Sequence, residues 1–449
     1  MGLPTDSTRP RPSTPAPKRP RGHKVRPGAE GTPVPSPAAA GARSLRDRAP
    51  RANIFTMTAH TADPAPPPHS LAYLFPITFF SGTILISLGP VLDPIIRDLG
   101  IPLSQGGLLA AGYAAGRVLA LLLLNLVLGR VPLKWLVVGA AFLQAAGLGI
   151  AGLFVHSLGP LVGALVVVGA AATIPLFIPV IWIGSYAKHA AKRAMLLILT
   201  FFSLGVVVAP LAIGAALALG AGWRWVFLAE AAFALLISAV VAVLPLADVP
   251  GRENLRWAHV REAVAFAPGL LALMLFAMFL YIGAEHILNI WLAEFQVEAF
   301  GAGQGTAATA LSVFFAGIMA GRFLALPVAR RMAASRLLAV SCGLMAAFIL
   351  LTALVPAFVV SEISVFLTGL GASAAYPMLT SYVYRFPEKF SGLVFSIITL
   401  VVIVSGAVFA YGVGPAAEAL GMRTAIALAA VPAFGVTILA CFLPKESAG

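Results

Sequence analysis

The chain has 449 residues, of which 60% are apolar and only 10% charged, whereas soluble domains run at about 45–50% and about 25%. That composition excludes an ordinary soluble domain and points to a lipid environment. The formal charge of +13 does not indicate a nucleic-acid partner, because residues 1–70 alone hold 11 Lys/Arg against 4 Asp/Glu, and the rest spread 19 basic and 13 acidic side chains thinly.

Residues 1–70 are rich in Pro, Arg, Ala, Ser and Thr and show almost no apolar periodicity. Such a segment buries too little surface to fold, and a disordered tail is expected. No apolar core of a signal peptide precedes Leu71, and Met57 is an alternative start for the chain.

From Leu71 onward come twelve apolar stretches, each long enough to cross ~30 Å of hydrocarbon as a helix. Their expected limits are 71–92, 105–128, 134–155, 158–183, 194–219, 225–246, 267–292, 306–329, 336–355, 357–384, 391–414 and 422–443. Barrel strands would be shorter and would alternate. One set of alternate loops, with the C-terminal end, carries fourteen basic residues, among them Arg130, Lys134, Arg330, Arg331 and Lys389. The other set holds only Arg97, Arg224 and Arg423. The imbalance places the first set and both termini in the cytoplasm, as in a multi-pass protein of a bacterial-type plasma membrane.

The chain also repeats. "AAGRVLAL" at 114–121 returns as "MAGRFLAL" at 319–326, "VGAAATIP" at 168–175 as "LGASAAYP" at 370–377, and "GWR" at 222–224 as "GMR" at 421–423. Three anchors in one order mean two halves of six spans, and an even number makes the halves parallel. Residues 71–246 and 267–445 are the expected bundles, with 247–266 as a polar cytoplasmic link.

Two parallel six-helix halves, the basic central loop, "GWRWVF" at 222–227 and "YIGAEHILNIW" at 281–291 resemble the major facilitator superfamily of secondary transporters, over about residues 71–445. "YIGAEHILNIW" and "GLGASAAYP" are similar to its fucose-permease-like branch of sugar and drug permeases. The resemblance implies an all-α integral membrane fold with twelve helices, a cavity lined by spans 1, 4, 7 and 10, and alternating access. Two departures stand out. The family's loop signature after the second span carries an acid that helps lock the halves. Here "NLVLGRVPLK" keeps Arg130 and Lys134 but has Gly129 in the acid's place, and Arg330, followed by Arg331, stands at the matching position of the second half. A lock made differently is expected. Pro90 also replaces the proton-binding Asp of fucose-type symporters.

A charge at mid-membrane costs roughly 2.5–3.5 kcal/mol on insertion scales, so it normally faces a cavity or a partner. Tyr281, Glu285 and Asn289 recur every four residues and share one stripe of a helix. Glu285 is the expected proton-coupling group; a bridge from Glu285 to a neighbouring helix is the competing reading. Arg117, near the middle of its span, is expected at the substrate cavity with Tyr281, Asn289, Tyr376, Trp182 and Thr380. Arg322, nearer the basic loops, and Glu230, near a span end, are expected to be buried structural charges. Cys342 and Cys441 read as core residues.

No nucleotide-binding loop, metal-ligand spacing or nucleophile elbow occurs, so no catalytic residue, metal or cofactor is expected. The predicted function is proton-coupled movement of a small solute by a monomer in the bilayer, with no nucleic-acid partner. A uniporter or exchanger of organic anions is the alternative, and a non-transporting scaffold or sensor a third.

Overall fold

A computed structural model describes residues 74–127, 130–184, 188–244 and 257–444, and within these the backbone alone at 125–126, 178–184, 188–196, 257–259 and 388. The expectations for the tail of residues 1–70, for Gly129 and for the Trp182 side chain therefore lie outside what is described.

The described chain is helical throughout. Span 1 comprises Leu74–Ile86 and Leu88–Leu99, bent by 42°. Spans 2 to 6 are Leu103–Val127, Leu133–Phe154, Leu158–Gly184, Lys188–Ala218 and Trp223–Val243. A short helix, Trp257–Phe266, lies in the predicted link. Spans 7 to 9 are Pro268–Phe300, Gln304–Ala329 and Ala334–Leu354. Span 10 is broken into Phe358–Ala372, Ala375–Ser381 and a 3₁₀ turn at Tyr382–Arg385; span 11 is Glu388–Leu420, and span 12 is Met422–Ala427 followed by Ala430–Ala440. Eleven elements are long and apolar enough to cross a bilayer, and the bent span 1 makes twelve.

The three breaks share a cause. A proline has no N–H to bond the carbonyl four residues earlier, and its ring crowds that carbonyl. Pro90 stands four residues after Ile86, Pro377 four after Ser373, and Pro432 four after Leu428, and each break falls at that earlier residue or directly beside it. Pro210, Pro327 and Pro415 lie inside unbroken helices, so the residue alone does not dictate a break.

Packing reproduces the duplication. Spans 1 with 5, 2 with 4 and 3 with 6 are the most extensive pairs of the first half; the second repeats them as 7 with 11, 8 with 10 and 9 with 12, though there span 9 packs most extensively on span 10. Between lipid-immersed helices the drive to associate is close packing, which small residues permit. Gly116 lies so near the Val166 carbonyl, and Gly169 so near that of Tyr113, that a Cβ at either would strike backbone; Gly317 and Gly369 meet Phe366 and Phe314 in the same way. Four turn glycines have left-handed backbones in matching pairs, Gly100 with Gly301 (φ 61° and 65°) and Gly220 with Gly421 (φ 85° and 83°). The "GWR" and "GMR" arginines are likewise alike. Arg224 donates to the Val155 carbonyl at 3.1 Å and pairs with Asp98. Arg423 donates to Ala353 at 3.0 Å and Ala299 at 3.1 Å. Each ties span ends together by satisfying carbonyls left over where helices stop.

One end of the bundle carries the basic loops; the other is here called the far end. The close joins between halves lie toward the far end. Span 2 packs on span 11 where Gly107 meets Tyr411 and Gly414 meets Leu103; span 5 meets span 8 at Gly214 and Gly305; Gly89 of span 1 meets Asn289 of span 7. The second helix of span 1 packs chiefly on spans 7 and 8 of the other half, whereas its first helix packs on span 5 of its own. Span 7 runs eight residues beyond its expected end at 292 and brings Glu294 and Gln296 into the interior. Cys342 is buried, but Cys441 is exposed, a correction to its reading as a core residue: its stretch is apolar because it faces outward, not inward.

Candidate functional site

The central cavity lies where spans 1, 5, 7 and 8 converge, with a volume of about 120 Å³. Its polar wall is Glu285, His286 and Asn289 from span 7, Arg322 from span 8 and Ser203 from span 5; Leu85, Ile86, Phe202 and Phe315 supply apolar wall. Of the stripe expected on span 7, Glu285 and Asn289 line this cavity and Tyr281 does not. Tyr281 is buried, and its hydroxyl lies 3.3 Å from the Ala372 carbonyl, at the break in span 10, and within hydrogen-bond reach of the Glu285 carboxyl. Asn289 is buried with its Oδ1 unpartnered among the described residues. Tyr376 lies within electrostatic reach of both Glu285 and Arg322. Thr380 spends its hydroxyl on the Tyr376 and Pro377 carbonyls, at 2.9 and 3.1 Å, and does not line the cavity.

The two arginines exchange the places expected of them. Arg322 is exposed, and it shares the cavity wall with Glu285 without closing to an ion pair. Arg117 is only 7% exposed and is not part of the cavity wall; its guanidinium lies 5.9 Å from the Tyr113 ring, and no described carboxylate comes within 4 Å. Depth along a helix misjudged both. Span 2 is covered by spans 4 and 11, so its mid-length is enclosed. Span 8 is open beyond its join with span 5, and residues 322–331 are mostly exposed. Glu230 is not close-packed either: it lies on the wall of a separate cavity between spans 1, 5 and 6.

The basic-loop residues are at the surface. Arg330 and Arg331 are exposed, as is Arg130, and Lys134 rests its ammonium 5.5 Å from the Trp135 ring. An ion pair between Lys389 of span 11 and Glu262 of the link helix, 3.4 Å long, ties that helix to the second half.

A polar group at the far end was not foreseen. Asp93, 2% exposed, accepts from Arg97 Nε at 2.5 Å and from Gln304 Nε2 of span 8 at 2.9 Å. Glu294 of span 7 brings its carboxyl into hydrogen-bond reach of Asp93. Glu418 of span 11 accepts from the Ser104 amide at 2.8 Å, and Gln296 donates to Glu362 at 2.7 Å. Several of these bonds cross between halves and fasten the far end. The signal was in the sequence as acids at span ends, but which of them meet depends on how the halves dock.

The sequence model of the Major Facilitator Superfamily matches residues 74–410. The chain belongs to this superfamily. Among solved structures, a bacterial homologue of the human lysosomal transporter Spinster, in an inward-facing and occupied conformation, is 18% identical, with a TM-score of 0.68 over 85% of this chain and 98% of that one. A point mutant of the nucleoside transporter NupG is 14% identical, with a TM-score of 0.71 over 83% and 99%. The E. coli fucose:proton symporter FucP, as a single-residue variant, is 18% identical, with a TM-score of 0.58 over 84% and 98%. No curated protein matches the chain by sequence. At such identities the superfamily likeness carries the twelve-helix transporter fold, and the reading as a membrane transporter rather than an enzyme follows from membership.

Proposed function

We propose that this superfamily member is a proton-coupled secondary transporter of a small polar solute, working by alternating access as a monomer in a plasma membrane. The observation that carries the reading is the presence of Glu285 and Arg322, both of the second half, on the wall of a cavity that spans 1 and 5 of the first half complete. A carboxyl that gains or loses its proton there changes the net charge that this wall of the second half presents to spans 1 and 5 of the first, and so alters which arrangement of the halves is favoured. With the basic loops and both termini in the cytoplasm, a bundle fastened at the far end is closed to the outside and open inward. The neighbours named as a proton symporter and as an inward-facing transporter agree with that reading without naming this protein's solute.

A thermal-shift screen of sugars, nucleosides and organic acids identifies the solute, and uptake into reconstituted vesicles then tests coupling. Glu285→Gln is expected to abolish the dependence of uptake on a pH gradient while leaving solute exchange in place. Gradient-driven uptake that survives Glu285→Gln removes that residue from the proton path. The exposed guanidinium of Arg322 supports a second reading, exchange of an organic anion without proton movement. Exchange indifferent to pH, and lost in Arg322→Gln, would select it.

A further inference from the structure

Spans 5 and 6 touch only sparsely, and the cleft between them, floored by span 1, holds a cavity of about 450 Å³, several times the central one. Phe79, Phe233 and Trp225 supply aromatic wall, Val208, Ala209 and Ala212 the aliphatic part. It opens sideways, since Trp225 is 67% exposed and Ala212 and Ala229 are also exposed, so in a bilayer its mouth meets acyl chains. One ionisable group lines it. The Glu230 carboxyl has the Ser87 hydroxyl within reach of one side, while its Oε2 is enclosed and finds no donor among the described residues.

The duplication shows that packing does not require an acid there. The "GWR" and "GMR" anchors pair Glu230 with Ala429, which is wholly buried. In the second half span 12 packs extensively on span 7, and Phe409 of span 11 fills the space over Phe279, their ring centres 5.4 Å apart. The first half has Phe79 in the corresponding place, but span 5 lines the cleft with Val208, Ala209, Ala212, Ile213 and Ala216, none of them aromatic. A carboxylate with no cationic side chain paired to it among the described residues, set in an aromatic, lipid-facing cleft, calls for a positive charge carried on apolar surface. A hydrocarbon tail would leave that charge unbalanced, and a phosphate or carboxylate headgroup would be repelled.

We infer that the cleft between spans 5 and 6 is a second binding site, entered from the bilayer, for a lipophilic monovalent cation held by Glu230 and the aromatic rings around it. The inference does not depend on the role of the central cavity.

The test uses the purified full chain in lipid nanodiscs and radiolabelled tetraphenylphosphonium, with tetraphenylborate as an anion of the same shape. Saturable binding is expected for the cation and not for the anion, weakened at least tenfold in Glu230→Gln. Ala209→Phe, which imitates the filled second half, is expected to weaken it as strongly while leaving the carboxyl in place, and serves if Glu230→Gln does not fold. Glu285→Gln is expected to bind the cation like the unaltered protein. Absence of saturable binding overturns the inference, as does equal binding of both ions, which would mark a merely apolar groove. So does binding lost in Glu285→Gln but kept in Glu230→Gln, which would place the cation in the central cavity.

Discussion

Gly116 and Gly321 occupy the same place in the two halves, and Arg117 and Arg322 follow them by one residue. The glycines do the same work, letting spans 2 and 4, and 8 and 10, cross backbone to backbone. The arginines do not: one is enclosed beside Tyr113, the other is open to the central cavity. The halves have kept what holds helices together, including the paired turn glycines and the span-tying Arg224 and Arg423, and have diverged where a charge meets a space. Glu230 against Ala429 is a second instance, and Glu285, on the seventh span alone, a third. A duplicated scaffold thus separates packing positions from chemical ones without any alignment.

The largest effects are expected where the halves agree. Gly116→Leu and Gly321→Leu each drive a side chain into the facing helix, and both are expected to cut the yield of monodisperse protein at least about tenfold, as overpacking that cannot relax. Tolerance of either on size-exclusion chromatography would break the equivalence of the two crossings. Next come the arginines that differ. Arg322→Met is expected to reduce solute uptake into vesicles about tenfold or more with the melting temperature unchanged. Arg117→Met is expected to keep or raise that temperature, because it replaces an enclosed charge that has no carboxylate partner among the described residues with an apolar chain. A transport loss confined to Arg117→Met would reverse the assignment.

Smaller and matched effects are expected for Arg224→Met and Arg423→Met. Each loses charge-assisted bonds, at about 1.5–3 kcal/mol apiece, and both should lower the melting temperature to a similar degree. Unequal shifts would show that Asp98, present only in the first half's cluster, carries part of the load. The smallest concerns the far end. Glu294→Ala removes one side of the Asp93 contact and is expected to raise the labelling rate of a cysteine placed at Ser104 by a few-fold, with little change in stability.

The spans were legible in the sequence to within a few residues at most ends, because a run of apolar side chains and a bilayer's thickness decide them. Four ends are exceptions: spans 1 and 11 run on to Leu99 and Leu420, past their expected ends at 92 and 414, and spans 5 and 7 differ for reasons that can be named. Span 7 runs on to Phe300 through Glu294 and Gln296, polar residues that end a hydropathy count but are enclosed here by the other half. Span 5 begins at Lys188, six residues before its expected start, through a basic stretch. The stripe of Tyr281, Glu285 and Asn289 was legible as one helix face. That Tyr281 would reach the Ala372 carbonyl, and Thr380 turn to its own helix, was not, since both depend on how span 10 breaks. The exchanged positions of Arg117 and Arg322 have the same origin: exposure is set by which helices close over a residue, and spacing along one helix carries no record of its neighbours.

The bend at Ser87 gives span 1 divided allegiance, one segment lodged with spans 7 and 8 and the other with span 5. Rocking of two rigid blocks would therefore have to shear this rod or flex it at the joint that Pro90 has already weakened. The second segment then travels with spans 7 and 8 while the first stays with span 5, so that any relative movement of the blocks is gathered into a single hinge within one rod.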